Sequence, residues 1–421
     1  IWLPFVAAEY IAVTGDLSLL EVKVRYAETA ELAPGEHERY CETGKTSFKE
    51  DIYTHCARAL ERALDMLSPR GLPYMGSCDW NDGMNRVGIG ETDDGIKGSS
   101  VKYGESVWLA QFLTLTLKKF AAVSELNGDI DGSEKYRAAA ASLLLAVEKT
   151  AWAGDRYARA FYGDGTPLGT DETEGGCKLD ILPQAFAVFS GMGSAPVSES
   201  GRRRSEIALE GMYDNLFDKI FKLFTPPFTP EEGKNPGYIR GYVPGVRENG
   251  GQYTHAAVWG AMALIGAGMK TQGTEILLAI NPASRRDDEE LAKRYKGEPY
   301  ALAGDVYSAP EFPGRCGWSM YTGAAAWYYK AVLEYLLGYS EREGGFAISP
   351  RLSKLFDGFT LSMRKHGTDY QIRVIAGDKT SYKLDGKIIA SKNRPEVVNN
   401  SFPFDRKTHL LEITVEIGEK R

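Results

Sequence analysis

The chain has 421 residues, a formal net charge of -7 at pH 7 and 43% hydrophobic residues. It is long enough for two or three domains, or for one large helical barrel with an appendage. The acidic balance leaves no basic footprint for nucleic acid, and no apolar run approaches the roughly 20 residues needed to span a bilayer.

The five cysteines lack the spacing of a metal site or of a disulfide framework. They are odd in number and include no CxxC pair, which argues against structural zinc and against paired disulfides. A reducing cytoplasm fits this usage best. We therefore expect a cytoplasmic protein without a metal, acting on a neutral or small anionic ligand.

The first and longer part of the chain is predicted to be helical. It begins at Ile1 without a methionine or a basic leader, so we expect a segment from within a longer polypeptide. Apolar residues at helical spacing predict helices over residues 2–14, 47–66 with Ser47 as the cap, 106–126, 133–152, 182–192, 205–217, 253–269, 274–280 and 322–337. Alternating short and long loops favour hairpins closed into a toroid. A solenoid is the competing architecture, but no fixed sequence period supports it.

After residue 344 the pattern changes to short strands. Residues 359–364, 370–374 and 410–417 alternate apolar with polar side chains and are separated by turn residues. We predict a small β domain over residues 341–421, following a helical domain over residues 1–340. We interpret the β domain as a structural appendage without chemistry.

The most unusual stretch is the loop 71–88, which reads GLPYMGSCDWNDGMNRVG. Asp79 and Asp82 bracket Trp80 and Asn81, and the glycines break both helix and strand. A tryptophan offers an apolar face to a sugar ring and can shield a neighbouring carboxyl from water. The alternative is a capping or Asx turn built on one of the aspartates. The density of unusual residues favours an active-site loop.

A second glycine-rich loop, over residues 236–257, carries Arg247 and Glu248 and leads into a helix. His255 falls in the first turn of that helix, where the helix dipole and free backbone N–H groups favour an anion. The alternative is a packed histidine bonded to a backbone carbonyl.

A third glycine-rich loop, over residues 305–327, contains Asp305 and ends where Thr322 and Gly323 open a helix. A threonine hydroxyl and unhindered N–H groups suit a phosphate. The alternatives are an ordinary helix cap and a solvated or capping aspartate. Three such loops, each leading to a helix start, suggest one pocket in which phosphate acts on a glycosidic bond.

Three motifs carry a family resemblance. DWNDGMNRVG at residues 79–88, ENGGQYTHA at 248–256 and GRCGWSMYTG at 314–323 occur in this order. Together they resemble glycoside hydrolase family 94, the inverting β-glucoside phosphorylases that include cellobiose, chitobiose and cellodextrin phosphorylases. Their wording is similar to the branch found in cyclic β-1,2-glucan synthases, and the similarity runs along nearly the whole chain.

The resemblance implies a mainly α fold, an (α/α)6 barrel that lacks its N-terminal part, followed by a small β-sandwich-like domain. It implies Asp82 as the general acid, with Trp80 beside the glucosyl subsite. The residues that match phosphate ligands of the family are His255, Thr322 and Gly323. We add as candidate substrate-binding residues Asp79, Asn81, Arg247, Glu248 and Asp305.

The reaction implied by the resemblance is a hexosyl transfer to inorganic phosphate, without a further cofactor. Phosphate attacks C1 from the face opposite the departing oxygen, so a β-glucan or gluco-oligosaccharide gives α-glucose 1-phosphate. Family members also have an N-terminal β-sandwich and early barrel helices, which we expect before Ile1 in the same polypeptide. A homodimer is a further expectation from the resemblance.

Three alternatives stay open at this point. The first is a cellobiose- or cellodextrin-type phosphorylase, although the residues Ala303 to Asp305 after the EPY motif favour β-1,2 linkages. The second is an inverting hydrolase in which Glu248 activates water. The third is a glycan-binding module without catalysis.

Overall fold

The computed structural model describes residues 1–31, 33, 39–89, 103–194, 196, 201–285, 288–320, 322–391 and 401–417. These residues form two compact units. The first unit comprises Ile1–Ile11, Gly15–Tyr253 and Asp305–Gly317, and the second comprises Ala12–Thr14, Thr254–Gly304 and Trp318–Arg421. The predicted division at residue 340 stays a prediction.

Ten α-helices lie within the described residues. They are α1 (Trp2–Thr14), α2 (Ile52–Asp65), α3 (Val107–Leu126), α4 (Ile130–Thr150), α5 (Ile181–Ser190), α6 (Arg204–Leu216), α7 (Thr254–Ala267), α8 (Lys270–Ile280), α9 (Glu289–Tyr295) and α10 (Thr322–Lys330). The helices predicted over residues 2–14, 106–126 and 205–217 are confirmed to within one residue at each end. No helix in this part of the chain is long and apolar enough to cross a membrane.

The start predicted for α2 is wrong. Ser47 lies in strand β2 (Gly44–Asp51), which pairs with β1 (Lys23–Glu28) as an antiparallel hairpin. The cap is Asp51, whose carboxylate accepts the N–H of Thr54 at 2.8 Å. Ser47 resembles a cap locally, but pairing with a strand about 20 residues earlier decides its conformation.

The core of the first unit lies around α3. Ser106 caps this helix by accepting the N–H of Leu109 at 3.0 Å. Helix α3 packs against α4 and α5, and the stacked rings of Trp108 and Phe112 meet Phe186 of α5 edge to face. Phe120 meets Tyr136 of α4 in the same way. The predicted helical hairpin of α3 and α4 is therefore confirmed.

Among the described residues, the first unit also contains seven short strands. They are β3 (Glu105–Ser106), β4 (Ala160–Phe161), β5 (Pro167–Leu168), β6 (Leu179–Asp180), β7 (Phe224–Thr225), β8 (Gln252–Tyr253) and β9 (Asp305–Val306). Of these, β3, β6 and β8 directly precede the helices α3, α5 and α7. The antiparallel pairs β3–β4, β6–β7 and β8–β9 join segments that lie far apart in the chain, while β4 and β5 form a local hairpin. These pairings bring the long loops of this unit together.

In the second unit α7 packs against α8 and α10. Tyr328 of α10 donates its hydroxyl proton to the carbonyl oxygen of Leu277 in α8 at 2.9 Å. Helix α10 continues into a π-helical turn over Ala331–Leu336, so the predicted helix over residues 322–337 is found as two consecutive segments.

Strands follow from Tyr339 onward. They are β10 (Tyr339–Arg342), β11 (Gly345–Ile348), β12 (Gly358–Lys365), β13 (Thr368–Gly377), β14 (Ser381–Leu384), β15 (Lys387–Ser391), β16 (Ser401–Pro403) and β17 (Thr408–Glu416). They form a five-stranded sheet in the order β12-β13-β17-β14-β15 and a three-stranded sheet in the order β10-β11-β16. Both sheets share one apolar core, in which Phe346 meets Tyr370 edge to face. A mainly helical chain followed by a β region is thus confirmed.

Candidate active site

The loop that carries Asp82 is irregular, as predicted, apart from one 3-10 turn over Asp82–Met84. Asn81 caps this turn by accepting the N–H of Gly83 on its side-chain oxygen at 3.2 Å. The loop folds back on itself so closely that a Cβ on Gly88 would overlap the carbonyl oxygen of Gly76. Asp82 is exposed at the surface of this closed loop.

A second loop holds the turn from the other side. Arg86 donates its N–H to the carbonyl oxygen of Pro236 at 3.1 Å, and Tyr238 donates its N–H to Oδ1 of Asn85 at 3.2 Å. A Cβ on Gly83 would stand 3.0 Å from Cβ of Ile239. Backbone contacts on both sides therefore define where the Asp82 carboxylate is presented.

Asp79 lies inside the first unit rather than at its surface. Its side chain is fully buried and forms a bidentate pair with Arg159, at 2.6 Å to Nη1 and 2.7 Å to Nη2. It also accepts the hydroxyl of Ser106 at 2.6 Å and the N–H of Asn81 at 3.0 Å. These bonds occupy both carboxylate oxygens, so Asp79 supports the loop from within.

The sequence reasoning missed Arg159. This arginine follows β-bridge residue Tyr157 and directly precedes β4, in a run of apolar residues. A single charge inside an apolar run is a signal for a buried, paired ion, since lone buried charges are too costly. Its partner Asp79 lies 80 residues earlier, so the sequence around Arg159 does not identify this partner.

Tyr238 and Glu248 both interact with Asp82. Burial, a hydrogen bond to Asp82 and the negative charge of Asp82 raise the pKa of the Tyr238 hydroxyl. Burial and, to a lesser degree, the charge of Asp82 raise the pKa of Glu248, against the opposing effect of Arg247. Asp82 and Glu248 are therefore close enough to interact electrostatically, one exposed and the other only 6% exposed.

Arg247 and Glu248 lie in a tight turn. Arg247 has a φ of 53°, which is rare for a side chain with a Cβ. Its guanidinium lies 4.7 Å from the centre of the Tyr242 ring, and its Nε lies 3.3 Å from Oε2 of Glu248. The ion pair and the ring contact direct both side chains of the turn.

Asp305 holds this turn in place. It is 3% exposed, and its Oδ2 accepts the N–H of Arg247 at 3.2 Å. In the β8–β9 pair Asp305 stands opposite Tyr253, whose ring meets Trp80 edge to face at 5.4 Å. The first unit thus brings together Trp80, Asp82, the Arg247–Glu248 turn and Asp305.

The other candidate residues belong to the second unit. His255 is the second residue of α7, and a Cβ on Gly323 would lie 3.6 Å from Cε1 and Nδ1 of its ring. Burial lowers the pKa of His255 to about 4. The ring is therefore neutral near pH 7 and donates from one nitrogen only. Thr322 begins α10, while its side chain lies outside the described residues.

These two sets of groups suit different tasks. The first unit presents the exposed carboxylate of Asp82 beside the buried carboxyl group of Glu248, whose pKa is raised by burial. The second unit presents a neutral imidazole and an unhindered glycine backbone at two helix starts. Exposed and buried carboxylates are the groups that protonate and orient glycosidic oxygens, and helix N-termini are sites for anions.

The family model for the catalytic domain of the glycosyl hydrolase 94 superfamily matches residues 1–338. The chain belongs to this superfamily. The resemblance seen in the three sequence motifs is thereby confirmed. Asp82, Glu248, His255 and Gly323 all lie within the matched residues.

Curated relatives of this glycosyl hydrolase 94 chain are similar over most of its length. The cyclic β-(1,2)-glucan synthase NdvB of Rhizobium meliloti (strain 1021) is 36% identical over 90% of this chain and 13% of its own. A 3-O-β-D-glucopyranosyl-β-D-glucuronide phosphorylase of Paenibacillus borealis is 27% identical over 89% of this chain and 44% of its own. An N,N'-diacetylchitobiose phosphorylase of Vibrio proteolyticus is 23% identical over 90% of this chain and 42% of its own. The chain spans less than half the length of each.

Proposed function

We propose that this chain is the catalytic part of an inverting β-glucoside phosphorylase. Inorganic phosphate attacks C1 of a β-linked glucosyl unit, the bond from C1 to the bridging oxygen breaks, and α-glucose 1-phosphate forms. Asp82 gives its proton to the departing oxygen as general acid. The two relatives named as phosphorylases support this reaction type.

The observation that carries the proposal is the presentation of Asp82. This carboxylate is exposed, on a loop fixed from both sides, and within electrostatic reach of the buried Glu248. A proton donor needs access to the substrate and a fixed position. Neither Asp79, which is buried and fully bonded, nor Asp305, which holds the Arg247 backbone, offers both. The proposal therefore assigns the proton to Asp82 alone.

Phosphate would be held by His255, Gly323 and Thr322. The closeness of His255 to the backbone of Gly323 supports a shared anion site at the starts of α7 and α10. A neutral imidazole suits a donor that must bind phosphate without strong charge attraction, because phosphate has to leave as part of the product. Trp80, Asn81, Arg247 and Glu248 would contact the saccharide.

For the substrate we propose β-1,2-linked glucans or gluco-oligosaccharides. The support is the higher identity to a protein named as a cyclic β-(1,2)-glucan synthase than to the two phosphorylases of other linkages. We further propose that residues 1–340 contribute to an (α/α)6 barrel and that residues 341–421 form the β domain. A homodimer belongs to the same proposal.

An inverting hydrolase is the second candidate, and one observation favours it. Glu248 is a buried carboxylate beside Asp82 with a raised pKa, and two carboxylates are what such a hydrolase uses. In that mechanism Glu248 would activate water and phosphate would be unnecessary. The two candidates differ in their co-substrate.

The test is a product assay in a chain that includes any segment preceding Ile1. Linear β-1,2-gluco-oligosaccharides and cellobiose are incubated with and without phosphate, and α-glucose 1-phosphate and free glucose are measured. We expect phosphate-dependent glucose 1-phosphate from the β-1,2 substrates. Free glucose formed without phosphate would favour the hydrolase, and binding without turnover would leave a glycan-binding module.

The variant Asp82→Asn tests the assigned acid. We expect the kcat of this variant on unactivated substrates to fall by about 10²- to 10⁴-fold, which is the usual rate contribution of a positioned general acid. Activity on 2,4-dinitrophenyl β-glucoside should fall far less, because this leaving group departs without a proton. Near-normal turnover of an oligosaccharide by this variant would contradict the assignment.

A further inference from the structure

A buried ion cluster lies directly behind the loop of Asp82. Arg159 has no exposed side-chain surface and donates hydrogen bonds to both carboxylate oxygens of Asp79. Its Nε lies 3.5 Å from Oδ2 of Asp180, which is equally buried. Burial raises the pKa of Asp180 to about 6 despite the arginine beside it. The contact with Asp79 is bidentate and shorter than the contact with Asp180, so Asp79 is the closer of the two partners of Arg159.

The cluster joins three elements to the loop. Arg159 precedes β4, Ser106 caps α3, and Asp180 caps α5 by accepting the N–H of Leu182 at 2.7 Å. Through Asp79 these elements reach the N–H of Asn81, the residue before Asp82. The contacts form one continuous path from the core of the first unit to the turn that presents Asp82.

Stability alone is a weak reason for such a cluster. Taking these charges out of water is expensive, and well-packed apolar side chains often serve a core equally well. A bidentate arginine adds something that an apolar contact lacks: a planar fork that fixes the carboxylate in two directions. Asp79 lies three residues before the turn and accepts the N–H of its cap, Asn81, so fixing this carboxylate fixes the start of the turn.

We propose that Arg159 is a positioning residue for the reaction, which acts through Asp79 to hold Asp82 where it can protonate the leaving oxygen. This inference rests on the proposed function. Arg159 touches neither saccharide nor phosphate, because its side chain has no exposed surface. Its effect on the chemical step comes through the placement of the acid.

This role predicts a specific kinetic signature. A displaced acid slows the departure of poor leaving groups, which need its proton, and barely affects a leaving group that departs as a stable anion. A cluster that only stabilised the fold would change both rates equally, through the fraction of folded enzyme. The ratio of the two rates therefore separates the two roles.

The experiment compares Arg159→Lys and Asp79→Asn with the wild type and with Asp82→Asn. The substrates are a β-1,2-gluco-oligosaccharide and 2,4-dinitrophenyl β-glucoside, both with phosphate. We expect the kcat of Arg159→Lys on the oligosaccharide to fall by about 10²-fold, the usual effect of a misplacement of about 1 Å. On the activated glucoside we expect a fall of less than about threefold, with the KM for phosphate unchanged within about twofold.

The matched control is Arg204→Lys. Arg204 also pairs with a carboxylate of the first unit, Oε2 of Glu148 at 2.8 Å, and lies over the ring of Trp152. Within the described part of the chain, its hydrogen-bond, ion-pair and ring contacts go to Glu148 and Trp152, which lie outside the Asp82 loop. We expect this variant to keep both rates, even where its thermal stability falls by as much as that of Arg159→Lys.

Equal losses on both substrates, or no loss in folded Arg159→Lys, would overturn the inference. Should both cluster variants fail to fold by circular dichroism, Ser106→Ala is the milder substitute, because it removes only one of the bonds to Asp79 together with the α3 cap. We expect it to show the same selective loss at about tenfold. Wild-type rates in Ser106→Ala would then overturn the inference. If Asp82→Asn itself lacks the leaving-group selectivity, the proposed function fails instead.

Discussion

The backbone of Gly323 lies against the imidazole ring of His255. A methyl group added to this glycine would stand 3.6 Å from both Cε1 and Nδ1, which is ordinary van der Waals distance. The contact is therefore tolerable for the folded protein, but the methyl group would occupy space next to the ring. In the proposed mechanism that space belongs to phosphate.

The variant Gly323→Ala tests this. We expect the KM for phosphate to rise at least about tenfold, because the methyl group hinders the approach of an anion to the N–H groups at the helix start. Thermal stability should be kept or raised, since alanine favours a helix by up to about 1 kcal/mol over glycine. Kinetics with varied phosphate and a thermal melt measure both.

Gly211→Ala is the control for the change in helix propensity. Gly211 lies in α6, and a Cβ there would meet no atom within 4 Å. We expect it to raise stability without any change in the KM for phosphate. If Gly323→Ala behaves in the same way, the assignment of Gly323 to the phosphate site is contradicted.

His255 makes the stability depend on pH. Its pKa is lowered from 6.5 to about 4 in the folded protein by burial, so the folded state binds the proton less well than the unfolded state. Above about pH 6.5 His255 is neutral in both states and does not lower the free energy of unfolding. As the pH falls from 6.5 towards 4, the unfolded state binds the proton first and the free energy of unfolding decreases. At pH 5 the loss is about 2 kcal/mol, from about 1.4 kcal/mol per pH unit over the 1.5 units below 6.5.

Urea unfolding of the wild type and of His255→Asn at pH 7.5 and pH 5.0 measures this. We expect the variant to lose less stability on acidification. His409→Asn serves as a contrast of opposite sign, because hydrogen bonds to Asp385 and Asp405 raise the pKa of His409. The stabilisation by His409 is present below pH 6.5 and is lost as the pH rises through its folded pKa.

Glu248→Gln separates the two catalytic proposals. If, as proposed, the chain is a phosphorylase in which Glu248 contacts the saccharide, we expect the KM for the saccharide to rise about 10-fold because a charge-assisted hydrogen bond is lost. Turnover should persist and stay dependent on phosphate. In a hydrolase the same change removes the base, and turnover should vanish. Initial rates over a range of oligosaccharide concentrations, with and without phosphate, decide between these outcomes.

Gly317→Ala tests the support of the Arg247 turn. A Cβ at this position would overlap the carboxylate of Asp305, which accepts the N–H of Arg247. We expect a loss of about 1–3 kcal/mol in the free energy of unfolding, typical of overpacking, together with a higher KM for the saccharide. Unfolding in denaturant and kinetics with varied oligosaccharide measure the two effects. An unchanged KM would mean that the turn does not contact the saccharide.

Much of the fold was predictable where local signals are strong. Helix α3 has a serine cap followed by 20 residues at helical spacing, and both of its ends were predicted to within one residue. The helical nature of the chain before residue 338 and the strands after it follow from periodicities of 3.6 and 2. Ser47 shows the limit: the residues around it carry an acceptable cap signal, but β1 pairs with them and makes them a strand.

The residues of the candidate site also differ in whether local sequence or long-range packing reveals them. Asp82, His255 and Gly323 are recognisable in sequence because they lie in glycine-rich loops that lead to helix starts, and those patterns are local. Their family follows from motif wording over the length of the chain. The sequence by itself therefore determined the class of fold, the family and the residues proposed for the chemistry.

Only the tertiary structure showed that Asp79 is buried while Asp82, to which the family resemblance assigns the acid role, is exposed. The two aspartates lie three residues apart in the same motif, and no propensity separates them. Asp79 is buried because Arg159, 80 residues later, meets it with a matching charge, while Asp82 stays exposed. Burial and ion pairing depend on which distant segments meet, and long-range packing decides that.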